Sequence, residues 1–159
     1  MGKLLWKKAS AKVGISKRKK LDIEPVDRFV GYHIRKAQLA VYDDFMSGQQ
    51  MQPPMTPGQF SVLMLIEENP DMSQQALCRH MAVDKSTMAV ALHRLVRRGL
   101  IERVRSTEDR RQNGLRLTRA GTGVLRDMRK YVAQHEKRIT ARLSPRECRQ
   151  LIALLGKVC

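Results

Sequence analysis

Residues 84–118 read DKSTMAVALHRLVRRGLIERVRSTEDRRQNGLRLT, and the fold turns on this stretch. Apolar side chains recur at helical spacing at Met88, Ala91, Leu92, Leu95 and Val96, while Ser86, Val90, His93, Arg94 and Arg97 fall on the opposite face at about 100° per residue. The inner stripe needs a core. The outer face is small near its start and basic near its end, so such a helix can enter a major groove roughly 12 Å wide with its first turns close to the bases. Gly99 suits the left-handed position that ends a helix. LIERVR then reads as a short strand in which Leu100, with Glu102 or Val104, alternates against charged neighbours. A polar loop carrying Asp109, Arg110 and Arg111 follows, and GLRLT returns as a second strand. A two-stranded ribbon with an arginine-bearing tip makes a wing suited to the minor groove or its phosphate edges.

Upstream, TPGQF is a strong helix start: Thr56 caps, Pro57 fits the first helical position and Gln59 answers in a capping box. Phe60, Leu63, Met64 and Leu65 give this helix a buried face, and Pro70 lies beyond its end. Ser73 caps a short helix with Ala76, Leu77 and Met81 as core candidates, and MAVD turns into the next helix with Asp84 as its N-cap. Two short helices joined by a tight turn, the second facing outward, form a helix-turn-helix. Before them, one helix is predicted from about Val26 to Phe45 on the repeat Val30, Ile34, Ala37, Val41, Phe45, broken by Pro53 and Pro54.

Downstream, Thr118 or Arg119 begins a long helix whose stripe runs through Gly121, Val124, Leu125, Met128, Val132, His135 and Ile139. Ser144, Pro145 and Glu147 repeat the capping-box start, and Leu151, Ile152, Leu154, Leu155 and Val158 give the terminal helix an apolar face. The outer helices thus carry more apolar face than a small winged domain can cover, and a two-fold homodimer interface is its natural outlet. The predicted class is mainly α with a small β wing, a winged helix-turn-helix embedded in a helical dimerisation scaffold. Its expected divisions are a basic, mobile segment at 1–25, a dimerisation helix and linker at 26–55, a winged DNA-binding domain at 56–118 and dimerisation helices at 119–159.

Lysine and arginine outnumber the acids 31 to 15, a formal net charge of +16 that favours encounter with a polyanion without choosing a sequence. Aromatic residues make only 4%, too few for stacking single-stranded bases, so double-stranded DNA is the leading partner. Cys78, Cys148 and Cys159 form no CxxC pair, which disfavours zinc or a disulfide scaffold and fits reduced cytosolic thiols. His33, His80, His93 and His135 are dispersed, and no coherent set of acid, base and nucleophile emerges, so no catalysis, cofactor or metal is expected. No apolar run of about 18 residues suggests a membrane span. MGKLLWKKASAKVG lacks the long apolar region of a signal peptide, and the expected place is the cytoplasm. The leader through Lys20 holds eight cations and no acid; it reads as a solvated tail, as a DNA-phosphate binder, or as a closure over a polyanionic ligand.

These pieces together resemble the MarR family of bacterial winged-helix transcription regulators. The likeness rests on TPGQFSVLMLI, on MSQQALCRHMAVDKSTMAVALHRLVRRGLIERVRSTEDRRQNGLRLTRAG and on the long and terminal helices, from about Val26 onward. It implies a homodimer whose two recognition helices enter successive major grooves of a pseudo-palindromic operator, with half-sites about 34 Å apart. It places Ser86 and Thr87 at the start of the recognition helix, where hydroxyls contact bases or phosphates. Val90, His93, Arg94 and Arg97 extend that surface, with either arginine a base reader or a phosphate holder and His93 a reader or a polar packing residue. In the wing, Asp109 orients Arg111 while an arginine enters the minor groove; Arg110 can exchange roles with Arg111, and Arg103 or Arg105 holds flanking phosphates.

The resemblance also implies repression relieved by a small molecule or by oxidation. Small aromatic acids, or their coenzyme A thioesters, are the expected effectors, in a pocket between the dimer helices and the reading domain. Tyr32, His33, Arg35, Lys36 and Met46 are the pocket candidates, with Met51 or Met55 as an adaptable rim and dimer core or loop packing as the alternative for the methionines. Peroxide-sensing relatives are expected to carry a cysteine near the start of the first helix, where this chain has Tyr32 and His33, so their mechanism does not transfer to Cys78. A nonspecific architectural protein and a thiol-based redox regulator stand as alternatives.

Overall fold

The computed structural model describes residues 24–105 and 113–158, with the backbone alone at Arg105 and Asn113. The chain divides into two compact units, residues 1–36 and 37–159. The first contains α1 (Glu24–Asp27), and α2 (Val30–Ser47) begins in it. One continuous helix was expected here; instead the helix is interrupted at Arg28 and Phe29, and α2 runs two residues past Phe45. His33 explains part of the break: its Nε2 lies 2.5 Å from the Asp27 carbonyl, fixing a turn across the interruption.

The second unit continues through α3 (Pro57–Glu68), β1 (Met72–Ser73), α4 (Gln74–His80), α5 (Lys85–Arg97), β2 (Ile101–Arg105), β3 (Asn113–Leu117), α6 (Arg119–Ile139) and α7 (Pro145–Leu155). Each helix start has a local cause. Thr56 with Gln59 and Ser144 with Glu147 form reciprocal capping boxes, each with proline in the first turn. Ser73, Asp84 and Thr118 cap α4, α5 and α6 by accepting from Ala76, Thr87 and Gly121. Gly99 leaves α5 at φ 66°, the left-handed conformation a side chain disfavours.

The sheet is antiparallel in the order β1-β3-β2. β1 escaped the sequence reading: two residues, Met72 and Ser73, pair with Leu115 and Gly114 just before the cap of α4. The burial along β2 also differs from strict alternation. Ile101 pairs with Leu117 and is buried, while Glu102 is exposed opposite Arg116 and Val104 is half-buried, so Ile101 joins the inward residues of this segment and Glu102 does not. Leu100 is buried too, but as the joint ahead of the strand.

The core gathers Val62, Leu63 and Ile66 of α3, Leu77 and Cys78 of α4, Met88, Leu92 and Leu95 of α5, Ile101 and Leu115 of the sheet, and Leu125 and Met128 of α6. Val62 and Ile66 are buried, whereas Phe60, Met64 and Leu65 are only half-buried, so the inner face of α3 is rotated from the expected one. Val96, assigned to the inner stripe of α5, is exposed, because the buried face of the last turn is centred on Leu92 and Leu95 and Val96 lies about 100° round from Leu95. Cys78 serves as a small apolar packing residue.

α6 is tied to the end of α2 by a polar lock. Asp44 accepts from His135 Nδ1 at 2.7 Å and from Arg138 Nε and Nη2 at 3.2 and 2.9 Å, while the Tyr131 hydroxyl donates to the Phe45 carbonyl at 2.6 Å. His135 is 3% exposed, yet satisfied by this carboxylate and packed edge-on against Phe45. The hydrogen bonds from Arg138 first and His135 second hold Asp44 below the usual carboxylate range.

Candidate nucleic-acid interface

α5 is held by three buried side chains, Met88, Leu92 and Leu95, and this leaves its other side to solvent. Ser86, Thr87, Val90, His93, Arg94 and Arg97 are all exposed there, with Val90 retaining 52% of its accessible surface. An exposed valine flanked by two hydroxyls and two arginines offers apolar contact for a thymine methyl beside donors and acceptors for base edges.

The tip of the helix is organised by Asp84. Its carboxylate accepts from the Thr87 amide at 2.9 Å, from the Ser86 hydroxyl at 2.5 Å and from the Thr87 hydroxyl at 2.6 Å. The Ser86 and Thr87 hydroxyls, then the Thr87 amide, push its pKa far below the ordinary value. Each hydroxyl has one proton, and here it is committed to Asp84, so the outward lone pairs of Ser86 and Thr87 are acceptors.

The wing is anchored at its base. Arg116 on β3 donates from Nε and Nη2 to Asp71 at 2.6 and 2.5 Å. Asp71, at φ 67°, lies so close to Gly114 that a Cβ there would sit 2.8 Å from its Cα. Arg103 is exposed and donates to Gln74 Oε1 at 3.4 Å, which ties β2 to the start of α4. Arg105 ends β2, and its side chain lies outside the described residues, as do Asp109, Arg110 and Arg111 at the wing tip. The structure therefore brings Ser86, Thr87, Val90, His93, Arg94 and Arg97 onto one exposed helix surface and puts Arg103 on the neighbouring strand.

The effector candidates fall differently. Tyr32 is half-buried and His33, Arg35 and Lys36 are exposed in the first unit. In the second unit Met46 and Met51 pack against the core, and Met55 is 0% exposed within it. Met55 is thus a core residue and not an open rim: Gln49 clamps its backbone, donating to its carbonyl at 2.7 Å and accepting from its amide at 2.8 Å. Arg98 was not among the sequence candidates because it sits at the helix end beside Gly99; the structure turns it onto Met51, with Nη2 3.1 Å from Sδ. Its spacing of four from Arg94 was the available signal. Among the described residues no group of His, Cys, Asp and Glu could hold a metal ion, and no helix is long and apolar enough to cross a membrane.

A buried-backed helix with an exposed polar and basic outer face, set beside an anchored two-stranded wing, defines a winged helix-turn-helix DNA-binding protein. Residues 55–112 match the sequence model of the MarR family. A Thauera aromatica protein assigned as the transcriptional regulatory protein for the hcr operon is 34% identical over 129 residues, which cover 81% of this chain and 78% of that protein. The solved transcriptional repressor CouR, bound to a 23-mer DNA duplex, superposes with a TM-score of 0.80 at 33% identity over 88% of this chain and 99% of its own. PcaV of Streptomyces coelicolor, solved with its natural ligand, gives 0.76 at 28% identity over 88% and 96%. The chain belongs to the MarR family and is a DNA-binding transcriptional regulator.

Proposed function

We propose that the chain acts as a homodimeric repressor that leaves a pseudo-palindromic operator when a small aromatic acid, or its coenzyme A thioester, binds. The observation that carries the reading is the outer face of α5, where Ser86, Thr87, Val90, His93, Arg94 and Arg97 stand exposed while the inner face is buried. Arg103 and Arg105 of β2, with Asp109, Arg110 and Arg111 between the strands, are proposed to complete the DNA surface. Repression is supported by the likeness to CouR, a repressor solved on DNA.

Dimerisation is proposed through the helical segments outside residues 56–118. Leu151, Ile152, Leu154, Leu155 and Val158 form an exposed apolar face on and just beyond α7, and Ile152 keeps 71% of its surface. Such a face in water favours a second copy. Effector response is supported by PcaV, solved with its natural ligand, and by a largely apolar cavity of about 420 Å³ beside α5. Val62, Met81 and Ala91 line it and Arg94 stands at the same cavity, a composition that suits an aromatic carboxylate. Tyr32, His33, Arg35 and Lys36 supply an aromatic and basic surface on the first unit, proposed for the same ligand class.

The test is titration of the purified protein against inverted repeats flanking its own coding region, with scrambled duplex as competitor at fixed salt. The expected preference for one repeat is in the range of about 4–10 kcal/mol. Equal affinity for every duplex would replace this reading with a nonspecific architectural role driven by the charge of +16.

A further inference from the structure

A second cavity, of about 430 Å³, lies between the Pro53–Pro54 turn and the last turn of α5. Arg94, Arg97 and Arg98 reach it at helical spacing i, i+3 and i+4, and Thr56 and Gln59 line it from the start of α3. Four arginines elsewhere in the second unit, Arg116, Arg126, Arg129 and Arg138, pair with Asp71, Asp127, Glu67 and Asp44, whereas Arg94, Arg97 and Arg98 converge on one cavity. Among the described residues no carboxylate pairs with Arg94, Arg97 or Arg98. Nor are these guanidiniums engaged in capping the helix, because the carbonyls of Arg94, Val96 and Leu95 already accept from the amides of Arg98, Gly99 and Leu100. Arg98 is half-buried and steered toward the turn by its contact with Met51 Sδ.

Gln59 supplies an independent observation. It is only 7% exposed, and its Oε1 accepts the Thr56 amide at 3.1 Å. Its Nε2 donates to no acceptor among the described residues, and Gln59 lines this cavity as well as the one on the other side beside α5. Every polar side-chain group still available at this cavity can therefore donate, and the principal ones can only donate: three guanidiniums and a primary amide. A neutral or cationic ligand would leave them unmatched, whereas a phosphate ester presents several acceptor oxygens and up to two negative charges.

We infer that this cavity is a phosphate site in which Arg98 and Gln59 complete a cradle with Arg94 and Arg97. The phosphate has two sources, the backbone of duplex DNA beside the groove that α5 enters, or the phosphate of a small ligand. The DNA source rests on the regulator reading above.

The deciding variant is Arg98→Gln in the full chain. Arg98→Lys serves as the charge-retaining partner, and Arg126→Gln removes one charge from α6 as a baseline. In the first arm, operator affinity is followed against salt. A DNA phosphate predicts that Arg98→Gln lowers the log–log slope by about 0.9 while leaving the ratio of operator to scrambled affinity unchanged. In the second arm, inorganic pyrophosphate is titrated into the DNA-free protein by calorimetry. A small-ligand phosphate predicts binding that falls at least about tenfold in Arg98→Gln, recovers in part in Arg98→Lys and is kept in Arg126→Gln. A change specific to Arg98 in either arm supports the site and identifies its source. Both arms matching the Arg126→Gln baseline overturns it, even if operator preference is intact; loss of operator preference in the wild type overturns the regulator reading, while the pyrophosphate arm still decides the cavity.

Discussion

One carboxylate sets the hydrogen-bond polarity at the tip of the recognition helix. Because Asp84 takes the protons of both Ser86 and Thr87, these oxygens face outward as acceptors, which suits the amino groups of adenine or cytosine and mismatches acceptor-only phosphates. Asp84→Asn keeps a capping oxygen but cannot accept from all three donors. The expected outcome is a lower affinity and a relaxed base preference, measured on operators substituted one base pair at a time. Asp84 has a lowered folded-state pKa, so its contribution to stability is fully present above the unfolded carboxylate value near 4 and is lost only as pH falls through the lower folded value. Denaturation midpoints from pH 5 to 8 are therefore expected to show no titration from this group. At Gly121 an added Cβ would meet the Leu100 carbonyl oxygen at 1.9 Å, so Gly121→Ala is expected to lose about 1–3 kcal/mol, read as a shifted urea midpoint at constant m. Asp84, Thr56 and Ser144 were legible as caps because capping is local; the two hydroxyl bonds to Asp84 were not, since helical periodicity assigns faces and says nothing of where a proton goes.

The elements were easier to find than to orient. α3 to α7 begin where the sequence places their caps, yet β1 has only Met72 and Ser73, too short for any periodicity, and exists because β3 offers a partner strand. The burial along β2 followed the same rule: Leu100 and Ile101 are adjacent apolar residues, and only the pairing of Ile101 with Leu117 turns Ile101 inward as well. The lock between α2 and α6 joins Asp44 to residues 91 and 94 positions away, beyond any sequence window. His135 was legible as part of the stripe, but not its partner. Arg138 and His135 stabilise the ionised carboxylate of Asp44, so this support is complete above the unfolded value and disappears as pH drops through the lowered one. Wild-type stability should fall as pH drops below about 4, and Asp44→Asn should be less stable at pH 7 with a flatter acid limb, followed by thermal denaturation at decreasing pH.

At the scale of the molecule, the apolar face of α7 asks for a partner that one chain does not supply. Replacing Ile152 and Leu155 together by lysine is expected to shift sedimentation toward the monomer and to weaken operator binding at least about tenfold, because a single half-site loses the linked second contact. The wild-type melting temperature should rise with protein concentration, as for any assembly that binds the folded state. Charge and composition made a DNA partner legible, and the apolar stripes made a dimer the natural outlet. The phosphate cavity was hidden, because it combines Arg98 and Gln59 from helices whose mutual placement no spacing reveals. The joint at Leu100 has a mechanical consequence. Its carbonyl accepts from Thr118, the Thr118 hydroxyl donates to Gly99 at 2.6 Å, and Gly121 leaves no gap, so the end of α5, the root of the wing and the start of α6 are welded at one point. The 21 residues of α6 then form a rod roughly 30 Å long that moves with the winged unit, and a rotation of the whole unit by about 5° about that weld carries the far end by about 3 Å. In the proposed dimer, the angle between the two copies of this rod would set the spacing of the reading heads while each head keeps its shape.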